Sequence, residues 1–127
     1  MSKLHNAHRV KIRTKVWLEK EGRPVLGAGK LTLLRAIEKE GSISKAAKRV
    51  GMSFRRAWSS LDSAEKNIGV KLLERKKGGA GGGSSTLTQQ ARDLIAKFDQ
   101  LMGELKEFTE RRFRSIFEEG DDNDIGG

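Results

Sequence analysis

The chain has no cysteine, and that absence excludes disulfides, thiolate zinc fingers and cysteine nucleophiles. It also has no apolar run near the ~18 residues that a membrane-spanning helix needs. Its first ten residues are mostly polar, so neither a signal peptide nor a membrane span is expected. Histidine is scarce. His5 and His8 have a helix-compatible ligand spacing but no third ligand, so no metal site is expected. The glycine run Gly78–Gly79 and Gly81–Gly83 is followed by Ser84-Ser85 where a phosphate-binding loop needs Lys-Ser or Lys-Thr. Gly27-Ala28-Gly29 fails as a dinucleotide fingerprint, because Thr32 stands where the third glycine belongs. No nucleophile can be assembled with a base and an orienting partner. The expectation is a soluble, cytoplasmic protein that is not an enzyme and carries no cofactor.

What is abundant is positive charge, and it is unevenly spread. The 127 residues carry a net charge of +9. Residues 1–80 hold 20 Lys and Arg against 7 Asp and Glu, whereas residues 81–127 hold 6 against 10. The front half is therefore the part expected to meet a polyanion, and the rear half should serve another purpose.

Within that front half, Gly41 to Trp58 reads as two short helices joined by a glycine turn. Ser42 can cap the first helix, on which Ile43, Ala46, Ala47 and Val50 recur at helical spacing. Gly51 supplies a positive-φ corner, and Ser53 can cap the second helix. Paired alanines permit close helix approach, and Arg55, Arg56 and Ser59 fall in the first two turns of the second helix. Those turns are what a helix-turn-helix presents to base edges.

The rest of the chain frames this pair. Val10, Ile12, Thr14, Val16 and Leu18 alternate with Lys11, Arg13, Lys15, Trp17 and Glu19, which predicts a strand over 9–18. Glu21-Gly22-Arg23-Pro24 predicts a turn, and Leu31, Leu34 and Ile37 predict a helix over about 30–40. The stripe Ala57, Trp58, Leu61, Ala64, Ile68 carries the second helix of the pair from 54 to 68, with Trp58 expected in the core. A strand over 70–77, the glycine-rich loop and a returning Thr86-Leu87 predict a hairpin, or wing. Thr88 can cap a last helix whose Leu87, Ala91, Leu94, Phe98, Leu101, Leu105 and Phe108 alternate steps of four and three. This stripe either covers the domain's own core or pairs with a second chain. Phe113, Ile116 and Phe117 form a separate patch beyond a change of phase.

The predicted architecture is mainly α with a small β-sheet: a winged helix-turn-helix followed by a long C-terminal dimerisation helix. Its divisions are a flexible N-terminus (1–8), the DNA-binding domain (9–87), the dimerisation helix (88–117) and an acidic disordered tail (118–127). Candidate base-reading residues are Ser53, Phe54, Arg55, Arg56 and Ser59, since arginine can pair bidentately with guanine. Arg55 and Ser59 share a helix face from which Arg56 is rotated by about 100°. Phe54 suits either packing or a thymine methyl. Candidate phosphate contacts are Ser42, Lys45, Arg75, Lys76 and Lys77. For Ser42 and Ser53 capping alone is the competing role. The candidate dimer interface is Leu94, Phe98, Leu101, Leu105 and Phe108.

Together, the run Gly41 to Trp58, the segment Leu72-Leu73-Glu74-Arg75 before the glycines, and Leu87-Thr88 resemble the N-terminal DNA-binding domain of ModE-type molybdate-responsive regulators. That domain is itself similar to the LysR-type winged helix. The resemblance spans about residues 10–110, and its most specific part is Ala57-Trp58 followed by the glycine-dense wing. It implies a dimer paired through the helix after the wing, and control of molybdate transport and molybdoenzyme genes. Regulators of this type also carry C-terminal molybdate-binding domains, for which these residues hold no counterpart. The expected partners are thus double-stranded DNA, a second copy of the chain and a separate oxyanion-sensing protein, with no membrane. The alternative is an adaptor that is tethered to nucleic acid by its basic face and recruits a protein through its long helix.

Overall fold

The computed structural model describes residues 9–76 and 83–119. The expected flexible N-terminus with its two histidines, Lys77 with the glycines through Gly82, and the acidic tail from Gly120 onward lie outside the described residues. The chain divides into two compact units, Val16–Lys97 and a second built from Met1–Lys15 and Phe98–Gly127.

The Val16–Lys97 unit opens with a hairpin of β1 (Leu18–Lys20) and β2 (Arg23–Leu26). Its two-residue turn places Glu21 at φ 52° and Gly22 at φ 80°, the positive pair that matches strand twist in tight hairpins. The strand expected over 9–18 is not formed: residues 10–17 have no regular secondary structure, and Val10 is 43% exposed. Alternation alone makes no ladder, and pairing starts only at Leu18, which faces Leu26. Pro24, expected in a turn, lies within β2 opposite Glu19.

Three helices follow. Helix α1 (Ala28–Glu40) buries Leu31, Leu33, Leu34, Ala36 and Ile37. Gly27 stands at its N-terminal boundary, where an added Cβ would sit 3.1 Å from the Cβ of Trp17, so the close passage of the chain before β1 favours glycine. Helix α2 (Ile43–Val50) buries Ile43, Ala46 and Ala47. Gly51 ends it at φ 80°, a left-handed conformation strained for any side-chain-bearing residue, and its N–H reaches the carbonyls of Ala47 and Lys48. Helix α3 (Phe54–Ile68) buries Ala57, Leu61 and Ala64. The buried alanines, Ala46 and Ala47 on α2 and Ala57 and Ala64 on α3, lie on two helices that pack against each other.

The wing is the antiparallel pair β3 (Leu73–Lys76) and β4 (Ser84–Leu87), in the register Leu73 to Leu87 and Lys76 to Ser84. It starts later than the expected strand at 70 and returns earlier than Thr86. The Ser85 N–H donates to the Gly41 carbonyl at 2.9 Å, joining β4 to the end of α1. Thr88 then serves three bonds: its hydroxyl donates to the Lys71 carbonyl at 2.6 Å and accepts from the Ala91 N–H at 3.0 Å, while its own N–H donates to the Leu72 carbonyl. Replacing this buried threonine with isosteric valine should cost about 1–3 kcal/mol, because partners are left unsatisfied rather than removed. Chemical denaturation checks this, and a loss within experimental error would remove Thr88 from the anchorage.

Helix α4 (Gln89–Arg114) continues into a π-helical turn, Ser115–Glu119. The Phe113 ring, on the last turn of α4, and the Phe117 ring, on the π-helical turn, lie 5.0 Å apart. In the second unit Val10–Thr14 and the Met102–Glu118 stretch line an open groove of about 840 Å³. Among the described residues no helix is long and apolar enough to cross a membrane.

Candidate nucleic-acid interface

The start of α3 is built by its cap. The Ser53 hydroxyl accepts from the Arg56 N–H at 3.1 Å, just as the Ser42 hydroxyl accepts from the Lys45 N–H at 3.1 Å at the start of α2. Both serines are therefore engaged in capping, Ser53 at an exposed position and Ser42 at a half-buried one. Phe54, Arg55, Arg56 and Ser59 are all exposed, Phe54 at 54%. No hydrogen bond or ion pair holds the guanidinium of Arg55 or Arg56 among the described residues. Unlike Arg49, which pairs with Glu40 at 2.9 Å, and Arg92, which pairs with Glu38 at 3.1 Å, they carry unneutralised charge. Lys45 on α2 and Lys76 on β3 are likewise exposed and without a carboxylate. Lys77 lies outside the described residues.

Arg75 has a different setting. One guanidinium nitrogen is 3.6 Å from Glu65 Oε1, and the guanidinium carbon is 5.8 Å from the centroid of the Trp58 ring. Trp58 itself corrects the sequence reading: it is 41% exposed and not in the core. Ala57, Leu61 and Ala64 already fill the buried face of α3, and Trp58 is rotated by about 100° from Ala57, toward the wing. Glu65 was not anticipated. Its Oε2 accepts the backbone N–H groups of Leu72 and Leu73 at 2.8 and 3.0 Å, joining the end of α3 to the start of the wing. No periodicity marks such a residue, because its partners are main-chain groups across a turn. Among the described residues no group of three or more His, Cys, Asp or Glu is placed to hold a metal ion.

The five residues expected at a subunit interface are not equivalent. Leu101 and Phe108 are 44% and 54% exposed, Leu94 and Leu105 are half-buried, and Phe98 is only 5% exposed within a single chain. Phe98 is therefore not free to meet a second copy. Ile95, left out of the expected stripe, is buried as Ala91 is. A helical repeat of 3.6 carries the buried row through Ala91, Ile95 and Phe98 and turns the Leu94 row aside.

The basic helix-turn-helix with its wing has counterparts among known proteins. The family described as bacterial regulatory helix-turn-helix protein, lysR family, matches residues 29–92, half of the chain. The molybdenum-pterin-binding protein MopA of Rhodobacter capsulatus is 35% identical over 88 residues, which are 69% of this chain and 33% of that one. The DNA-binding transcriptional dual regulator ModE of Escherichia coli (strain K12) is 38% identical over 72 residues, 57% of this chain and 28% of that one. The chain thus spans about a third of the length of the curated relatives it matches. The crystal structure of the CbnR_DBD-DNA complex shares the fold, at a TM-score of 0.50 and 24% identity, covering 69% of this chain and 94% of that one. Helix pair, wing and family match agree: this chain belongs to the lysR family of bacterial regulatory helix-turn-helix proteins.

Proposed function

We propose that the chain is a dimeric, sequence-specific DNA-binding regulator of genes of molybdenum metabolism. The observation that carries the DNA reading is the pair of exposed, unneutralised arginines, Arg55 and Arg56, on the first turn of a capped helix. Base readout is assigned to Ser53, Phe54, Arg55, Arg56 and Ser59, and phosphate contact to Lys45, Lys76 and Lys77 with the helix-capping Ser42. The molybdenum link rests on what the similar proteins are called. Selection from random duplexes tests the reading. An enriched two-fold symmetric motif with half-sites about one helical turn apart supports it, and absence of enrichment favours the adaptor alternative.

The dimer draws support from the second unit, where Leu101, Phe108 and Ile116 are each exposed by more than two fifths. Large apolar side chains exposed in a row on one segment mark an interaction surface. Leu101→Glu should leave the chain folded and monomeric by sedimentation, since a charge buried without a partner cannot be offset at the interface. A native chain that is monomeric at tens of micromolar would withdraw the dimer.

A further inference from the structure

We infer that Glu65, Trp58 and Arg75 form the joint that sets the angle of the wing against the recognition helix, with Arg75 as a positioning residue and not a phosphate ligand. The inference rests on the DNA-binding reading above. Trp58 and Glu65 are seven residues apart, two turns of α3, and so occupy one edge of that helix. Glu65 Oε2 takes both backbone N–H groups at the wing's root, at 2.8 and 3.0 Å, and Oε1 faces the Arg75 guanidinium at 3.6 Å. The guanidinium in turn lies over the Trp58 ring at 5.8 Å. One carboxylate thus holds the main chain entering β3 and the first basic side chain of that strand. The Glu65 side chain is only 13% exposed and that of Arg75 31% exposed, so the arginine is turned toward α3. An arginine suits this place because its planar fork can meet a carboxylate and lie against an aromatic ring together, which an ammonium cannot. Next to this joint, Thr88 grips the carbonyls of Lys71 and Leu72, so the root is held from α3 and from the start of α4. A wing fixed at its root delivers Lys76 to the flanking phosphates in register with the bases under α3, without an ordering cost on binding.

The two roles of Arg75 make opposite predictions for Glu65→Gln. The carboxamide oxygen can still accept the Leu72 and Leu73 N–H groups, but the anion beside Arg75 is gone. A phosphate-binding Arg75 would be released, and DNA binding would tighten. A joint would loosen, and binding to the selected duplex should weaken about twofold to tenfold. Arg75→Lys keeps the charge and should weaken binding similarly; wild-type affinity in that variant would overturn the joint, as would tighter binding by Glu65→Gln. NMR relaxation of the free, full-length chain supplies a readout that needs no DNA. Backbone order parameters of residues 73–76 and 84–87 should fall in Arg75→Lys while those of α3 stay unchanged, and unaltered wing order would overturn the joint by itself. A wild-type chain that enriches no duplex would instead sink the DNA reading and leave the relaxation result to decide the joint.

Discussion

Leu61→Ala is expected to cost about 2–5 kcal/mol of folding stability, the range for deleting three buried carbons where the surroundings relax only partly. Leu61 is fully buried on α3, and its neighbours on the same face, Ala57 and Ala64, are too short to collapse into the space it would leave. The loss should therefore fall toward the upper end. For a domain of this size each kcal/mol lowers the melting temperature by several degrees, about 4–8 °C. Denaturant titration is the measurement, with an unchanged slope showing that the unfolded state is the same. Leu61→Met conserves volume and should cost under about 1.5 kcal/mol. A Leu61→Ala loss below 1 kcal/mol, or equal losses for alanine and methionine, would mean that α3 is not held by this side chain. Because Leu61 supports the recognition helix from behind, affinity for the selected duplex should be retained once corrected for the folded fraction.

Arg55→Ala should show the reverse pattern. The residue is exposed and unpaired, so stability should change by no more than about 0.5 kcal/mol. If Arg55 makes the bidentate base contact proposed for it, affinity for the selected duplex should fall by about 1–3 kcal/mol, and non-specific affinity by less. Arg55→Lys restores the charge but not the fork, and should recover non-specific binding without recovering specificity. Equal losses on selected and arbitrary duplexes would reassign Arg55 to a backbone contact. Arg56 is the natural comparison, since it is rotated by about 100° on the same turn and cannot approach the same base edge.

The helix-turn-helix was legible because its boundaries are local chemistry. Ser42 and Ser53 cap their helices through their own hydroxyls, Gly41, Gly51 and Gly69 end theirs in left-handed conformations, and α3 runs over 54–68 as the apolar spacing predicts. Where the outcome depended on a partner elsewhere, pattern reading failed. Residues 10–17 alternate as a strand does, but among the described residues no strand pairs with them to complete a ladder. Trp58 shares the stripe of Ala57 and Leu61 only if a helix face is drawn broadly, and Arg75 draws it toward the wing. Ile95 was passed over because Leu94 fitted a step of three from Ala91, whereas the core takes the step of four. In the candidate site, the exposed residues of α3 could be picked out from sequence, but the orientation of the wing could not. It depends on Glu65 and Thr88 bonding main-chain groups seven or more residues away.

The link from Ser85 to Gly41 is made of main-chain atoms alone. Side-chain replacements on the returning strand therefore cannot sever it, except proline, which has no N–H to give. The outward side chains of that strand, Ser84 and Thr86, can change while the main-chain mooring survives. Proline should accordingly be excluded at position 85.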